Sequence, residues 1–146
     1  MKRTATAIWS GSLKDGEGRL STQSGTLNGT PYSFKARFED ESGQSGTNPE
    51  ELLGAAHAGC FAMQLSHMLA SEGHPAEKLE AKASVAVEPA DGGGFNIVQS
   101  HIFLTAKVPG IDHDKFMKLA NTAKSGCPVS KALAGTEISL EAKLED

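Results

Sequence analysis

The sequence predicts an α+β fold with antiparallel β-sheets, and three observations lead to it. Residues 47–71 form a strongly apolar stretch with the length and end signals of a long helix. Segments that alternate apolar and polar side chains lie on both sides of it. A second, amphipathic helix follows Asp112. Runs of strands interrupted by single helices favour α+β over a regular strand–helix alternation.

The long helix is predicted from its end signals and its composition. Asn48 is a good N-cap, Pro49 suits the first helical position, and Gly73 with Pro75 marks the end. Between them almost every turn is apolar on all sides, which is typical of a core helix. Polar side chains interrupt the stretch too often for a membrane span: His57, Gln64, Ser66 and His67.

The remaining elements follow from alternation and turn signals. Three strands are predicted before the long helix, at residues 4–9, 19–23 and 32–38. Asn28-Gly29 is a hairpin turn signal between the second and the third. In the third, the side chains of Tyr32, Phe34, Ala36 and Phe38 would share one face.

After the long helix, strands are predicted at residues 81–87, 95–108 and 136–144. The apolar positions in 95–108 change from odd to even numbers, which indicates a bulge near residues 98–100. Asp112 is expected to cap a helix that Gly126 ends, and Cys127-Pro128 is expected to open a short helical turn.

The whole chain, residues 1–146, is expected to form a single domain. Its net charge of −4 argues against nucleic acid or an anionic membrane as the main partner. No apolar run follows the basic start, Met1-Lys2-Arg3, so we expect a cytosolic protein. In that compartment two cysteines are expected to be catalytic, redox-active or free rather than a structural disulfide.

A helix that is apolar on every side needs covering on every side, which a few strands and one amphipathic helix do not provide. One stripe of this helix is unusually small: Ala55, Gly59, Ala62 and Ser66. Another backbone could approach closely along such a stripe. We therefore expect a second copy of the same helix to pack there, in an isologous homodimer.

The two cysteines allow more than one interpretation. Cys60 lies in the middle of the predicted core helix, where a free cysteine ordinarily behaves as a small hydrophobic residue. Cys127 begins a helical turn, where amide donors and the positive helix end favour a thiolate, although an ordinary N-cap is the alternative. Together the two suggest a reversible disulfide. His57 is interpreted as a plain core or interface histidine, because no spacing of His, Cys and Asp completes a metal site.

Three segments resemble the OsmC branch of the OsmC/Ohr family: GTNPEELLGAAHAGCF at 46–61, SGCPVSKAL at 125–133 and PYSFKARFE at 31–39. The likeness covers essentially the whole chain. It implies a cysteine-based peroxidase that reduces organic hydroperoxides without metal, haem or flavin. It also implies an intertwined homodimer, with two central helices wrapped by β-sheets, and a small dithiol of the dihydrolipoyl type as reductant.

The resemblance also assigns roles to four residues. Cys60 becomes the peroxidatic cysteine, Cys127 the resolving cysteine, Arg37 the activating arginine and Glu50 the carboxylate that orients this arginine. The chemistry is consistent with these roles, because attack on peroxide needs a thiolate, which burial disfavours and a fixed guanidinium favours. The resulting sulfenic acid at Cys60 would condense with Cys127 before further oxidation. Apolar neighbours of Cys60 would favour an organic hydroperoxide over hydrogen peroxide.

Arg37 and Glu50 also have simpler explanations. Arg37 would lie on the polar face of the predicted strand, where most arginines are solvated, and the macrodipole alone favours Glu50 at a helix start. Ten helical residues from Glu50 to Cys60 span about 15 Å, so one straight helix does not bring both to one arginine. Either the helix breaks near Gly54, or Glu50 comes from the neighbouring chain. An antiparallel dimer favours the second arrangement, so we expect a site shared between subunits.

Two other functions are compatible with these residues. A general thiol–disulfide oxidoreductase is disfavoured, because the chain has no C-x-x-C motif. A redox-responsive sensor, or a protein that binds an apolar ligand in the dimer cavity, would use the disulfide as a switch. Continuous peroxide turnover distinguishes an enzyme from a sensor that is oxidised once.

Overall fold

The computed structural model describes all residues, Met1–Asp146, and the chain divides into two compact units, Met1–Leu52 and Leu53–Asp146. The mixed composition of helices and strands confirms the predicted α+β class. The elements follow the chain in this order: β1 (Ala5–Ser10), β2 (Glu17–Thr22), β3 (Thr30–Tyr32), α1 (Phe34–Phe38), α2 (Pro49–Ser71), β4 (Lys78–Pro89), β5 (Phe95–Lys107), α3 (His113–Gly126), α4 (Pro128–Ala132) and β6 (Glu137–Glu145).

The first unit contains an antiparallel sheet in the order β1-β2-β3. Gly18 on β2 pairs with Trp9 on one side and Tyr32 on the other, and these two aromatic rings lie 5.3 Å apart. A Cβ at Gly18 would lie 2.2 Å from Tyr32 Cε1 and 2.7 Å from Trp9 Cε3. Only glycine leaves room for both rings at this position.

The strand predicted over residues 32–38 was wrong beyond Tyr32, because the chain forms helix α1 there. Ser33 caps this helix, and its Oγ accepts a hydrogen bond from the Ala36 N–H at 3.1 Å. Phe34 and Phe38, four residues apart, have ring centroids 5.1 Å from each other. An alternating pattern over seven residues also contains this helical spacing, so the pattern did not exclude a helix.

The second unit contains a sheet in the order β4-β5-β6. Strands β4 and β5 are antiparallel, with Ala86 opposite Gln99 and Val87 opposite Ile97. Val98 is therefore the extra residue of a bulge, which confirms the predicted interruption.

Strand β6 runs parallel to β5, so the expectation of antiparallel sheets was wrong for this pair. The connection between the two strands passes through α3 and α4. A long helical crossover returns the chain to the starting end of the sheet, which is what parallel pairing requires. The direction of the last strand is set by this connection and not by its own alternating pattern.

Helix α2 is one uninterrupted helix, and its predicted ends are confirmed. Asn48 Oδ1 accepts a hydrogen bond from the Glu51 N–H at 2.8 Å, and Gly73 has a φ of +82° just after the last turn. The break near Gly54, which was the less favoured alternative for Glu50, is absent, since α2 continues through it. A Cβ at Gly54 would lie 3.1 Å from the Ala83 carbonyl oxygen, so glycine allows α2 to approach strand β4 closely.

The core of the second unit forms where one face of α2 meets the sheet and α3. Its fully or almost fully buried apolar residues come from all three parts: Phe61, Leu65, Leu69, Ile102, Leu104, Ala106, Val108, Phe116, Ala120 and Ala123. The opposite face of α2 is open within the chain, because Met63 is 76% exposed and nothing lies within 4 Å of a Cβ at Gly59. None of the helices has the length and apolarity that crossing a membrane requires.

We expect Leu65→Ala to lower the free energy of unfolding by about 2–5 kcal/mol, because it removes a fully buried side chain and leaves a cavity. Leu13→Ala is the matched control, since Leu13 is 67% exposed and its truncation should change the free energy by less than about 0.5 kcal/mol. Urea unfolding at one protein concentration measures both. Equal effects of the two substitutions would contradict this description of the core.

Candidate functional site

The structure brings the four predicted site residues together as two pairs. Arg37 and Glu50 form an ion pair within the unit Met1–Leu52. Cys60 and Cys127 are neighbours within the unit Leu53–Asp146. Each pair joins residues that are separated in sequence, and both members of a pair lie in the same unit.

The Arg37 guanidinium is bound by Glu50 through two of its nitrogens. Arg37 Nη2 donates to Glu50 Oε1 at 2.7 Å, and Arg37 Nε donates to Oε1 and Oε2 at 3.2 and 3.1 Å. Glu50 is only 8% exposed, whereas the Arg37 side chain is 34% exposed. The carboxylate therefore fixes the orientation of the guanidinium, as charge-assisted bidentate pairs do.

The carboxylate that holds Arg37 comes from the same chain. The expectation of a site shared between subunits concerns Cys60 as well, and it stays a prediction. That expectation rested on the separation of Glu50 and Cys60 along one straight helix and on a strand at Arg37. Arg37 lies instead in the last turn of α1, and Glu50 lies in the first turn of α2. The short segment between these two helices allows the pair to close with α2 intact.

An apolar cavity of about 240 Å³ lies beside the Arg37 guanidinium. Aromatic and aliphatic side chains line most of it: Trp9, Leu13, Tyr32, Phe34, Phe38 and Pro49. The guanidinium carbon of Arg37 lies 4.7 Å from the centre of the Phe38 ring, within the range of a cation–π contact. This cavity combines an apolar lining with one fixed cation.

The sulfur atoms of Cys60 and Cys127 lie 2.7 Å apart, and both cysteines are free thiols. Cys60 is half-buried on α2, and Cys127 is fully buried at the junction where α3 ends and α4 begins. The Cys127 N–H donates to the Ala123 carbonyl at 3.0 Å, which closes the last turn of α3. The junction fixes Cys127, and the buried face of α2 fixes Cys60.

The surroundings of the two thiols change their pKa values in opposite directions. Burial raises the pKa of Cys60, and the hydrogen bond between the two sulfurs raises it further, against a smaller opposing effect of the Val129 backbone. Burial also disfavours the Cys127 thiolate, but hydrogen bonds from Cys60, Ser130 and Val129 outweigh it and lower the Cys127 pKa. These two directions favour a thiolate at Cys127 over one at Cys60.

His57 is the buried polar residue next to this pair whose connections sequence reasoning missed. Its ring is fully buried, as expected of a core histidine, with Nδ1 2.6 Å from Ser100 Oγ and Nε2 2.7 Å from Ser130 Oγ. Burial lowers its pKa, so the ring is neutral. The only sequence signal was a hydroxyl residue, Ser130, three positions after Cys127. No group of three His, Cys, Asp or Glu side chains is arranged to hold a metal ion.

The chain resembles known proteins over most of its length. Residues 41–143 match the family model described as OsmC-like protein. The chain is 45% identical to Peroxiredoxin OsmC of Escherichia coli K12, covering 95% of this chain and 94% of that protein. It is 35% identical to the organic hydroperoxide resistance protein OhrB of Bacillus subtilis, over 69% of this chain and 73% of that protein.

Solved structures show the same fold. The crystal structure of the organic hydroperoxide resistance protein OhrB of Bacillus subtilis superposes with a TM-score of 0.69 at 28% identity, covering 96% of this chain and 98% of that chain. An OsmC-like protein of Vibrio cholerae has a TM-score of 0.77 at 13% identity, covering 98% of this chain and 99% of the other. The second likeness concerns the fold alone.

We expect a double-mutant cycle of Arg37→Gln and Glu50→Gln to give a coupling free energy of about 1–2 kcal/mol, because the pair is bidentate and its carboxylate is buried. Urea unfolding of the four proteins at one concentration provides it. The Lys78–Glu80 pair is the control, since both of its side chains are exposed and should show no measurable coupling. Equal coupling in the two cycles would contradict a special role of burial at Glu50.

Proposed function

Because the chain belongs to the OsmC family, we propose that it is a thiol peroxidase that reduces organic hydroperoxides to alcohols. The observation that carries this proposal is the pair of free thiols, Cys60 and Cys127, with sulfur atoms 2.7 Å apart. Two relatives that cover two thirds or more of the chain support it, since one is named a peroxiredoxin and the other an organic hydroperoxide resistance protein.

The proposed reaction uses the two cysteines in turn. The Cys60 thiolate attacks the outer peroxide oxygen, the O–O bond breaks, and the alkoxide takes a proton and leaves as the alcohol. Cys60 becomes a sulfenic acid. The Cys127 thiolate then attacks the sulfenic sulfur, the S–O bond breaks, and the departing hydroxide is protonated to water. The short distance between the sulfurs supports the second step, because little movement separates the thiols from a disulfide.

Activation of Cys60 requires a cation, because burial and the neighbouring sulfur both raise its pKa. We assign this role to Arg37, as the resemblance implies, with Glu50 as the residue that orients it. The bidentate ion pair supports the assignment, since a guanidinium fixed in advance stabilises developing charge without reorganising during the reaction. The apolar cavity beside Arg37 supports an organic substrate over hydrogen peroxide.

The disulfide must be reduced before the next turnover. We propose a small dithiol of the lipoyl type as the reductant, as the resemblance implies, because a dithiol leaves as a cyclic disulfide after two thiol–disulfide exchanges. We also propose a cytosolic location, where both thiols are kept reduced between turnovers.

We expect purified wild-type protein to consume cumene hydroperoxide continuously with dihydrolipoamide, and to consume hydrogen peroxide more slowly. Cys60→Ser should abolish turnover, because no sulfur then attacks the peroxide. Cys127→Ser should allow one oxidation per chain and leave a sulfenic acid that dimedone traps.

The same assay separates the proposal from a redox sensor. A sensor would be oxidised once in the wild-type protein, with no further consumption of peroxide while dithiol remains. Undiminished cycling by Cys127→Ser would refute the resolving role of Cys127.

The active form is proposed to be a homodimer in which the open face of α2 packs against its copy. The small stripe of Ala55, Gly59, Ala62 and Ser66 supports this arrangement, since small residues allow two helices to approach closely. Beside it, Met63 is an exposed apolar side chain. The chain itself leaves this apolar face uncovered.

We expect Gly59→Leu to convert the protein to a folded monomer, because a side chain there meets nothing within the chain but would separate two packed helices. Analytical ultracentrifugation measures the mass, and circular dichroism checks the fold. Asn121→Leu, at an exposed position of α3, is the control and should leave the dimer intact. A Gly59→Leu dimer as stable as the wild-type dimer would place the interface elsewhere.

A further inference from the structure

A network of buried hydrogen-bonding groups runs from strand β5 to Ser130, close to the buried Cys127. Ser100 Oγ lies 2.6 Å from His57 Nδ1, and His57 Nε2 lies 2.7 Å from Ser130 Oγ. Cys127 is the N-cap of α4 and Ser130 is the third residue of this helix, so the Ser130 side chain lies near the Cys127 sulfur, and hydrogen bonding by this side chain lowers the Cys127 pKa. Ser100, His57, Ser130 and Cys127 are all buried, so water does not compete for these contacts.

The direction of every hydrogen bond in this network depends on the position of one proton, the N–H proton of the His57 ring. A neutral imidazole carries a single N–H, and each serine hydroxyl has a single proton to donate. With the proton on Nε2, His57 donates to Ser130, and the Ser130 hydroxyl is free to donate to the Cys127 sulfur. With the proton on Nδ1, His57 donates to Ser100. Its Nε2 then accepts a hydrogen bond from the Ser130 hydroxyl, whose only proton is no longer available to Cys127. Only the first arrangement gives a thiolate at Cys127 its donor.

We propose that Ser130 is the hydrogen-bond donor to the resolving sulfur and that His57 is the positioning residue that orients this donor through its Nε2–H tautomer. The inference deepens the proposed function, on which it rests for the role of Cys127 as the resolving cysteine. Neither Ser130 nor His57 is among the four predicted site residues. The thiolate attacks the Cys60 sulfenic sulfur, the S–O bond breaks, and the departing hydroxide takes a proton from solvent and leaves as water. The network therefore stabilises the charge on Cys127 and supplies no proton.

No member of the network carries a fixed charge. The titratable groups in it are His57 and Cys60 on α2 and Cys127 at the start of α4, and β5 contributes only the hydroxyl of Ser100. Burial keeps the His57 ring neutral. Ionisation of Cys127 is therefore coupled to the tautomer of His57 and not to its charge.

A second histidine–serine pair on the same strand provides a matched control. His101 Nδ1 lies 2.5 Å from Ser139 Oγ, but this pair is only half-buried, and no hydrogen bond connects it to a cysteine. Ser139→Ala removes the same kind of contact from the same sheet. An effect that comes merely from losing a hydrogen bond between a histidine and a serine would therefore be seen in both Ser130→Ala and Ser139→Ala.

The first test titrates Cys127 by the ultraviolet absorbance of its thiolate, in a Cys60→Ser background that leaves one thiol. Ser130→Ala should move the titration to higher pH, because loss of a donor destabilises only the charged form. Ser130→Thr, which keeps the hydroxyl, and Ser139→Ala should titrate as the parent does. Identical titrations of Ser130→Ala and Ser139→Ala would overturn the proposal.

The second test follows the His57 ring in the same background, and its main measurement keeps Ser130 intact and so does not depend on the folding of a Ser130 variant. Nitrogen NMR should show a neutral ring that carries its proton on Nε2 when Cys127 is a thiolate. The tautomer balance should change as the pH falls through the Cys127 titration, and Ser130→Ala should remove this response. A ring that keeps its proton on Nδ1 beside the thiolate would contradict the assigned direction.

The third test links the network to the reaction. After one equivalent of cumene hydroperoxide, Ser130→Ala should form the Cys60–Cys127 disulfide about tenfold more slowly at neutral pH, the effect of losing about 1.4 kcal/mol of stabilisation. Raising the pH should restore the rate. If the wild-type protein does not turn over peroxide, the proposed function fails, yet the titration and the NMR response still decide the inference, because neither uses peroxide.

Discussion

The burial of one face of α2 is the constraint on which the chemistry of the second unit depends. Phe61, Leu65 and Leu69 are completely buried against the sheet and α3, so the helix cannot rotate about its axis without exposing them. His57 lies four residues before Phe61, on the same face, and Cys60 lies beside it. The packing that stabilises the unit therefore also aims the imidazole at Ser130 and the sulfur at Cys127.

The polar groups placed inside this core are tolerated because each has a partner. No buried side-chain nitrogen or oxygen in the structure lacks a hydrogen bond, and the His57 ring uses both of its nitrogens. A buried Glu50 is likewise bound by a guanidinium. The two pairs differ in kind, since Arg37 and Glu50 hold opposite charges together, whereas the hydrogen bonds around the cysteine pair favour a thiolate at Cys127 over one at Cys60.

Much of this architecture could be predicted from local sequence signals, and the failures have physical reasons. The helix ends at Asn48 and Gly73 and the bulge at Val98 are local features, and each was confirmed. Helix α1 was missed because seven residues fit both an alternating and a helical pattern. The parallel direction of β6 and the pairing of Arg37 with Glu50 depend on connections through space, which no local pattern records. The same is true of His57, whose two partners lie 43 and 73 residues away.

The parallel pairing of β5 with β6 has a consequence for how the chain is made. The pairing joins Gln99 to Glu137 and Lys107 to Glu145, so the sheet is completed only by the last strand of the chain. During synthesis, one edge of β5 must stay unpaired until α3, α4 and β6 have emerged, and non-local pairing of this kind is slow. An unpaired edge invites association with other chains. The nascent chain therefore stays exposed to aggregation at this edge until the nine residues of β6 are in place.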